Sequence, residues 1–264
     1  MSAKSPRTID PRFAAPGHPP ATIDEFEGVR FLHLGTSWVQ GAMRIAKPDA
    51  IELEYVQMMM MWTLFQPLFQ HTPRHIVQLG LGSAALTKFS YARFPEAHVT
   101  AVELNPNVIA ICRALFGLPE NDARLDVREQ NALDFVLDAR NHGTVDALQV
   151  DLYDQDARGP VLDSPEFYQG CYDCLAPGGV MTTNVFGDFS NYDKNLLTME
   201  QVFDAVVWLP EVHDANIVVL AFRDAPEIDF SVLYERAGEI KRRLNLPAKN
   251  WVNGLKEWMR DHQA

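Results

Sequence analysis

The stretch VQLGLGSAALTKF, residues 77–89, runs from an apolar segment through a Gly-x-Gly turn into a helix-like segment. Gly80 and Gly82, at the C-terminal end of a strand, let the backbone turn tightly and approach a ligand closely. The N-terminus of the helix that follows offers unpaired N–H groups. A glycine pair alone also occurs for packing reasons. Its meaning changes with Glu103, 23 residues beyond Gly80 and at the end of the next strand. A carboxylate in that place accepts hydrogen bonds from the vicinal hydroxyls of a ribose. The two features together predict a nucleoside-containing ligand.

Outward from this turn the chain alternates strand and helix. HIVQLGLG is a strand and turn, AALTKFSYARF a helix, AHVTAVEL a strand, and PNVIAICRALFGL a helix ended by glycine. LDVREQ, ALDFVLDAR and VDALQVDLY continue the series, then PEFYQGCYDCL as a helix ended at APGG and VMTTNVF as a fifth strand. Strands separated by helices of this length imply βαβ units, a parallel sheet and right-handed crossovers. AVVWLP and NIVVLAF, close together, predict an antiparallel pair at the sheet edge, and FSVLYERAGEIKRRL and NWVNGLKEWMRDH two amphipathic helices. The fold class is therefore α/β, a doubly wound and mostly parallel sheet.

Upstream, residues 1–21 hold five prolines and few large apolar residues, which predicts a poorly ordered tail. Residues 22–50 read as a small β-module in which VRFLHLG and GAMRIA form a hairpin. Residues 51–264 form the nucleoside-binding domain with its C-terminal helices. Within it Ile51 to Phe69 lacks Gly and has no Pro before Pro67, so a long helix is expected, its MMMMW run (residues 58–62) facing the core.

Composition narrows the function. A net charge of −12 argues against general nucleic-acid binding, which needs a basic footprint, and is compatible with a cationic small substrate. Three cysteines make no disulfide framework, and no apolar run of bilayer-spanning length or signal-peptide pattern occurs; the chain reads as cytoplasmic, without a membrane partner. Cys171 and Cys174 fall inside an apolar helix with no second pair, and His71 and His75 are separated by Pro73, so no metal site is expected. Trp208, Trp251 and Trp258 read as packing residues.

Two cofactor classes fit the glycine turn. Dinucleotide binders usually carry a third glycine where Ala85 stands, a residue that fingerprint tolerates. Nucleoside-sulfonium compounds need no pyrophosphate cradle, and Asn131, after the third strand, stands where a residue would meet adenine; it is equally suited to cap the helix that follows. After the fourth strand comes Asp151-Leu-Tyr-Asp154-Gln-Asp156. Ligands of open α/β sheets bind beyond the C-terminal strand ends, so Asp151 and Asp154 border that crevice. Two carboxylates there can hold an ammonium group and take its proton; the alternative is a solvated acidic loop or a helix cap around Asp156.

Over roughly residues 29–222 the chain resembles the spermidine synthase (polyamine aminopropyltransferase) family. LHLGTSWVQGAM with ELEYVQMM is similar to that family's N-terminal hairpin and Tyr-bearing helix, VQLGLGSAAL to its glycine loop, and AVELNPNVI to its ribose-binding strand. REQNALDFV matches its adenine-contacting turn, and VDLYDQDARGPVLDSPEFYQGCYDCLAPGGV the segment with its catalytic Asp-x-x-Asp. The resemblance implies a methyltransferase-like Rossmann fold and transfer of an aminopropyl group from decarboxylated S-adenosylmethionine to a diamine such as putrescine, in a homodimer. It implies Asp151 as the base, Asp154 and Tyr55 beside the amine, and Gln40 near the sulfonium side chain. Gly80, Gly82, Ser83, Glu103 and Asn131 would bind the adenosyl compound. The chain departs from the family pattern where Ser83 replaces the loop Asp that holds the aminopropyl ammonium. It departs again where Gln155 replaces Pro, and where Leu209-Pro210-Glu211-Val212 lacks a tyrosine; Glu211 and Asp214 are the acids expected to offset the missing one. The alternatives are a methyltransferase using intact S-adenosylmethionine and a non-catalytic nucleoside-binding protein of the same fold.

Overall fold

The structure, a computed structural model, describes residues 10–66, 72–156, 159–186, 189–209 and 216–262. His71, Glu211 and Asp214 lie outside the described residues. Three antiparallel strands come first: β1 (Ala21–Phe26), β2 (Val29–Leu34) and β3 (Gly41–Arg44), in the order β1-β2-β3. Glu27 and Gly28, both at positive φ, make the tight connection from β1 to β2, with Phe26 opposite Val29. Such a two-residue turn matches the twist of a hairpin. The module thus has one strand more than the hairpin expected.

The long helix expected over residues 51–69 is not formed. α1 (Glu54–Met58) is one turn and a half, and a 3-10 turn follows at Met61–Leu64. The physical reason lies far away in sequence. The Met59 carbonyl accepts from the side chains of Gln149 and Thr182, and the Met60 carbonyl from Thr63. Those donors take acceptors that a continuing helix would use. Met58 through Met61 and Trp62 are all buried, so the run is core, as its pattern predicts.

The main sheet follows: β4 (His75–Leu79), α2 (Ala85–Arg93), β5 (His98–Glu103), α3 (Pro106–Leu115), β6 (Leu125–Glu129), α4 (Ala132–Leu137), β7 (Val145–Val150), α5 (Pro165–Cys174), β8 (Leu175–Phe186), α6 (Phe189–Glu200), β9 (Ala205–Trp208) and β10 (Asn216–Phe222). α7 (Phe230–Leu244) and α8 (Ala248–His262) close the chain. Strand order is β6-β5-β4-β7-β8-β10-β9. The first five are parallel, and β10 runs antiparallel to both its neighbours. This is a Rossmann-like, methyltransferase-type sheet. The chain winds outward from β4 to β6, then restarts at β7 on the other side, so the switch point falls between the C-terminal ends of β4 and β7.

Local signals set the helix starts. Asn105, Asn131, Ser164 and Asp229 each accept a backbone N–H at a helix N-terminus, and Pro106 and Pro165 occupy first-turn positions. α7 ends on Asn245 in the left-handed region behind Lys241, Arg242 and Arg243, a charge pattern suited to a helix C-terminus. One face of the sheet is covered by α2, α7, α8 and the methionine run; the other by α4, α5 and α6. Cys171 and Cys174 are buried in α5; Trp251 is buried, and Trp208 meets Trp258 edge to face at 5.1 Å. Among the described residues no helix is long and apolar enough to cross a membrane.

From Asp10 the segment assigned by composition to a poorly ordered tail packs on the body. Phe13 is buried in a third core cluster with Val108, Ile111 and Leu118, between the N-terminal module and α3. Burial of one phenylalanine supplies about 2–3 kcal/mol of anchoring, which proline content does not foretell.

Candidate active site

The switch point opens into a cavity of about 990 Å³ between the N-terminal module and the C-terminal ends of the sheet. Gly80, Gly82, Glu103, Asn131, Asp151, Tyr55 and Gln40 all line it. Gly80 has φ +87°, and a side chain there would run into the Asp151 carbonyl oxygen. The Asp151 N–H donates to Leu79 O at 2.9 Å, so the turns after β4 and β7 are held edge to edge.

Glu103 closes the nucleoside end. One carboxylate oxygen accepts from Leu81 N at 2.9 Å and the other from Asn105 N at 2.8 Å. Burial raises its pKa, and these backbone donors act against the rise. With these and the Leu104 backbone N–H beside it, the carboxylate still keeps acceptor capacity for a ribose hydroxyl. Asn131 is the N-cap of α4, accepting from Leu133 N at 2.9 Å, and it also lines the cavity.

Asp151 stands at the other end. Asn184 Nδ2 donates to its Oδ1 at 3.1 Å, and the Tyr55 hydroxyl reaches its Oδ2 at 3.5 Å. Burial lifts the Asp151 pKa to about 6, while the Asn184 and Tyr55 contacts pull it down. The Tyr55 hydroxyl is pushed well above its ordinary value by burial and by the neighbouring Asp151 charge, so it stays a protonated donor.

Two residues expected at the ligand stand elsewhere. Ser83 is 3% exposed, absent from the cavity wall, and donates through Oγ to Ala42 O at 3.1 Å. Gly41 makes this possible: a Cβ on it would sit 2.6 Å from Ser83 N. The glycine loop is thus pressed onto β3, and a serine fills the interface. The Asp154 side chain is likewise not part of the cavity wall; its Oδ1 accepts from Asp156 N at 2.9 Å within the turn after β7. Its backbone carbonyl receives Gln40 Nε2 at 3.0 Å, and Thr36 Oγ1 donates to Gln155 O at 2.7 Å. Through these bonds the β2–β3 loop of the N-terminal module holds the loop after β7.

Residues missed from the sequence are Asn184 and Tyr153, which both line the cavity; the Tyr153 hydroxyl donates to Asn184 O at 2.8 Å. A signal existed in VMTTNVF: the Asn184 amide, one residue beyond Thr183, which pairs with Val150. Asn184 is 2% exposed and its Oδ1 has no partner among the described residues, so it presents an acceptor beside Asp151.

A doubly wound sheet of this order, with a glycine turn and an acidic strand end at its switch point, defines the class: a Rossmann-like, methyltransferase-type enzyme fold. The chain belongs to the spermine/spermidine synthase family, whose domain model, "Spermine/spermidine synthase domain", matches residues 55–230. It is 33% identical over 248 residues to a polyamine aminopropyltransferase of Chromobacterium violaceum, covering 93% of each chain. A probable spermidine synthase from Corynebacterium glutamicum superposes with a TM-score of 0.71 at 19% identity, over 90% of this chain and 92% of that one. Human methyltransferase-like protein 13, in complex with SAH, superposes at 0.66 and 23% identity, over 74% and 93% of the two chains. These two structural likenesses speak for the fold.

Proposed function

We propose that this enzyme is a polyamine aminopropyltransferase of the spermidine synthase type, with decarboxylated S-adenosylmethionine as donor and a small amine, of which putrescine is the simplest, as acceptor. The observation that carries the reading is Asp151: a cavity carboxylate with its pKa raised to about 6, one oxygen fixed by Asn184 and the other facing Tyr55. A protonated amine is no nucleophile, and a carboxylate so poised takes its proton near neutral pH.

The chemistry follows from the residues. Glu103 and the Gly80–Gly82 turn hold the adenosyl part, with Asn131 toward the purine. Asp151, Asn184 Oδ1 and Tyr55 receive the attacking amine. Its nitrogen lone pair forms a bond to the methylene carbon beside the sulfonium while the carbon–sulfur bond breaks. The electron pair leaves with methylthioadenosine, and the ammonium proton passes to Asp151. Positioning supplies most of the rate in such a displacement, because nucleophile and electrophile start in near-attack geometry. The enzyme would act in the cytoplasm as a homodimer, the arrangement its family resemblance implies.

The test is one incubation with both sulfonium compounds and putrescine, read by mass spectrometry. Methylthioadenosine with an aminopropylated amine supports the proposal. S-adenosylhomocysteine with a methylated product overturns it in favour of a methyltransferase, and neither product with either donor overturns it in favour of a non-catalytic binder.

A further inference from the structure

The N-terminal segment, residues 13–20, stands behind the cavity wall and is hydrogen-bonded to residues that follow Glu103, in a way the transfer chemistry alone does not require. The Pro19 carbonyl accepts from Asn105 Nδ2 at 3.0 Å and from Asn107 Nδ2 at 3.1 Å. Asn107 returns an acceptor to the same segment: its Oδ1 receives Ala15 N at 2.6 Å. Asn105 is 6% exposed and Asn107 1%, and the bonds they make to the segment are part-buried. Phe13 anchors one end of the segment in the core, and Pro20 lies against Gly35 of the module at the other. Between them the His18 ring is close enough for its charge to act on Glu103.

Asn105 joins this strap to the site. Its side chain holds Pro19 while its backbone N–H donates to Glu103 Oε1 at 2.8 Å. The direction of that N–H, and with it the lone pairs Glu103 has left for a ribose, depends on where the strap holds the start of α3. We infer that residues 13–20 form a ribose-side strap, with Asn105 and Asn107 as positioning residues, and that closing of the strap and binding of the nucleoside favour each other. This rests on the reading of Glu103 as the ribose ligand. The coupling is reciprocal by linkage: whatever the strap adds to nucleoside affinity, the nucleoside adds to strap closure.

The experiment uses the full chain with methylthioadenosine and its 2′,3′-dideoxy analogue as probes. Hydrogen exchange of residues 10–20 is expected to slow several-fold with methylthioadenosine and to stay unchanged with the dideoxy analogue at equal occupancy. Asn107→Ala, which frees Ala15 and removes one of the two donors to Pro19 without touching Glu103, is expected to raise the Kd for methylthioadenosine and the KM for the donor about 3–10-fold while kcat holds within twofold. Phe13→Ala, which loosens the strap from its far end, should give the same split. Methylthioadenosine bound with the strap's exchange unchanged, or equal protection by both probes, overturns the strap while leaving the site reading intact. Failure of methylthioadenosine to bind at all overturns both.

Discussion

Asn184 donates a hydrogen bond to Asp151 Oδ1 at 3.1 Å, and its own carbonyl oxygen is buried beside the same carboxylate without a partner among the described residues. One side chain thereby does two things. Its amide N–H fixes the rotation of the Asp151 carboxylate, and its oxygen leaves an acceptor open to the cavity. An orphaned buried acceptor costs about 1–3 kcal/mol, a cost that an ammonium or amine N–H in the cavity would relieve. The pairing is set by the sheet: Thr183 faces Val150 in the parallel ladder, so the residues after each meet above its end.

If Asp151 is the base, Asp151→Asn removes the proton acceptor and keeps the shape. Turnover should fall by roughly a thousandfold, the scale of general-base contributions, while the Kd for methylthioadenosine stays within twofold. Single-turnover kinetics and calorimetry measure the two quantities separately. Retention of more than a tenth of the rate would remove Asp151 from this role.

The pH profile carries a sign. Asp151 must be ionised to act, and its pKa is raised to about 6, so kcat/KM should climb with pH to a plateau through that value. The Asn184 bond lowers this pKa, so Asn184→Leu should move the acid limb upward. Stability runs the opposite way. With its folded pKa raised above the ordinary 3.8, the carboxylate favours the folded state fully below that value, and this is lost as pH rises through about 6. Asp151→Asn should therefore be more stable than the parent at pH 7.5, by on the order of 1–3 kcal/mol, with the gap shrinking toward pH 4. Thermal melts at both pH values decide it.

Much of the sheet was legible because its signals are local: apolar runs of strand length, asparagine and serine caps, glycine and proline punctuation. What escaped depends on contacts made from afar. Residues 51–66 look helical until Gln149 and Thr182, roughly 90 and 120 residues away, claim the Met59 carbonyl. Phe13 is one aromatic in a proline-rich stretch, and only α3 reveals its pocket. α6 is hard to read because FSNYDKNLLTME is polar on most positions and marks no broad apolar face. Glu103, Asn131 and Asp151 could be assigned to the cavity wall from the sequence because strand ends declare themselves. Asp154 and Ser83 were misplaced because the loops bearing them are steered by Gln40 and Gly41 of the N-terminal module.

Gly80 should tolerate no side chain. Alanine there would combine the strain of φ +87° with a collision against the Asp151 backbone, so the turn after β4 and the base after β7 cannot both keep their places. Gly117 offers the comparison: its φ is +70°, but nothing lies within 4 Å of an added Cβ. Gly117→Ala should cost about 1 kcal/mol and leave kcat alone. Gly80→Ala should cost more than about 2 kcal/mol and lower kcat at least tenfold. Urea denaturation with steady-state kinetics on both variants tests the contrast; equal losses would mean that strain alone sets the effect.

Lys88 makes the last case, away from the chemistry but under the glycine loop that serves it. Its ammonium is buried and donates to Phe116 O at 2.6 Å and Pro48 O at 2.8 Å, with Met43 Sδ at 3.2 Å. These three acceptors belong to the end of α3, the segment leading to α1, and β3, so one cation ties the N-terminal module to the nucleoside-binding half. Burial lowers its pKa from 10.5 to about 8. Between those values the unfolded chain binds a proton that the folded chain does not, and stability therefore rises with pH across that window. Lys88→Met has no such group. Measured by urea denaturation at pH 8 and pH 10, the stability of the parent relative to Lys88→Met should increase by about 2 kcal/mol or somewhat more. The subtraction cancels every other group that titrates in this range. A difference that does not change with pH would mean the amine keeps its ordinary affinity for protons, and that the three acceptors repay its burial in full.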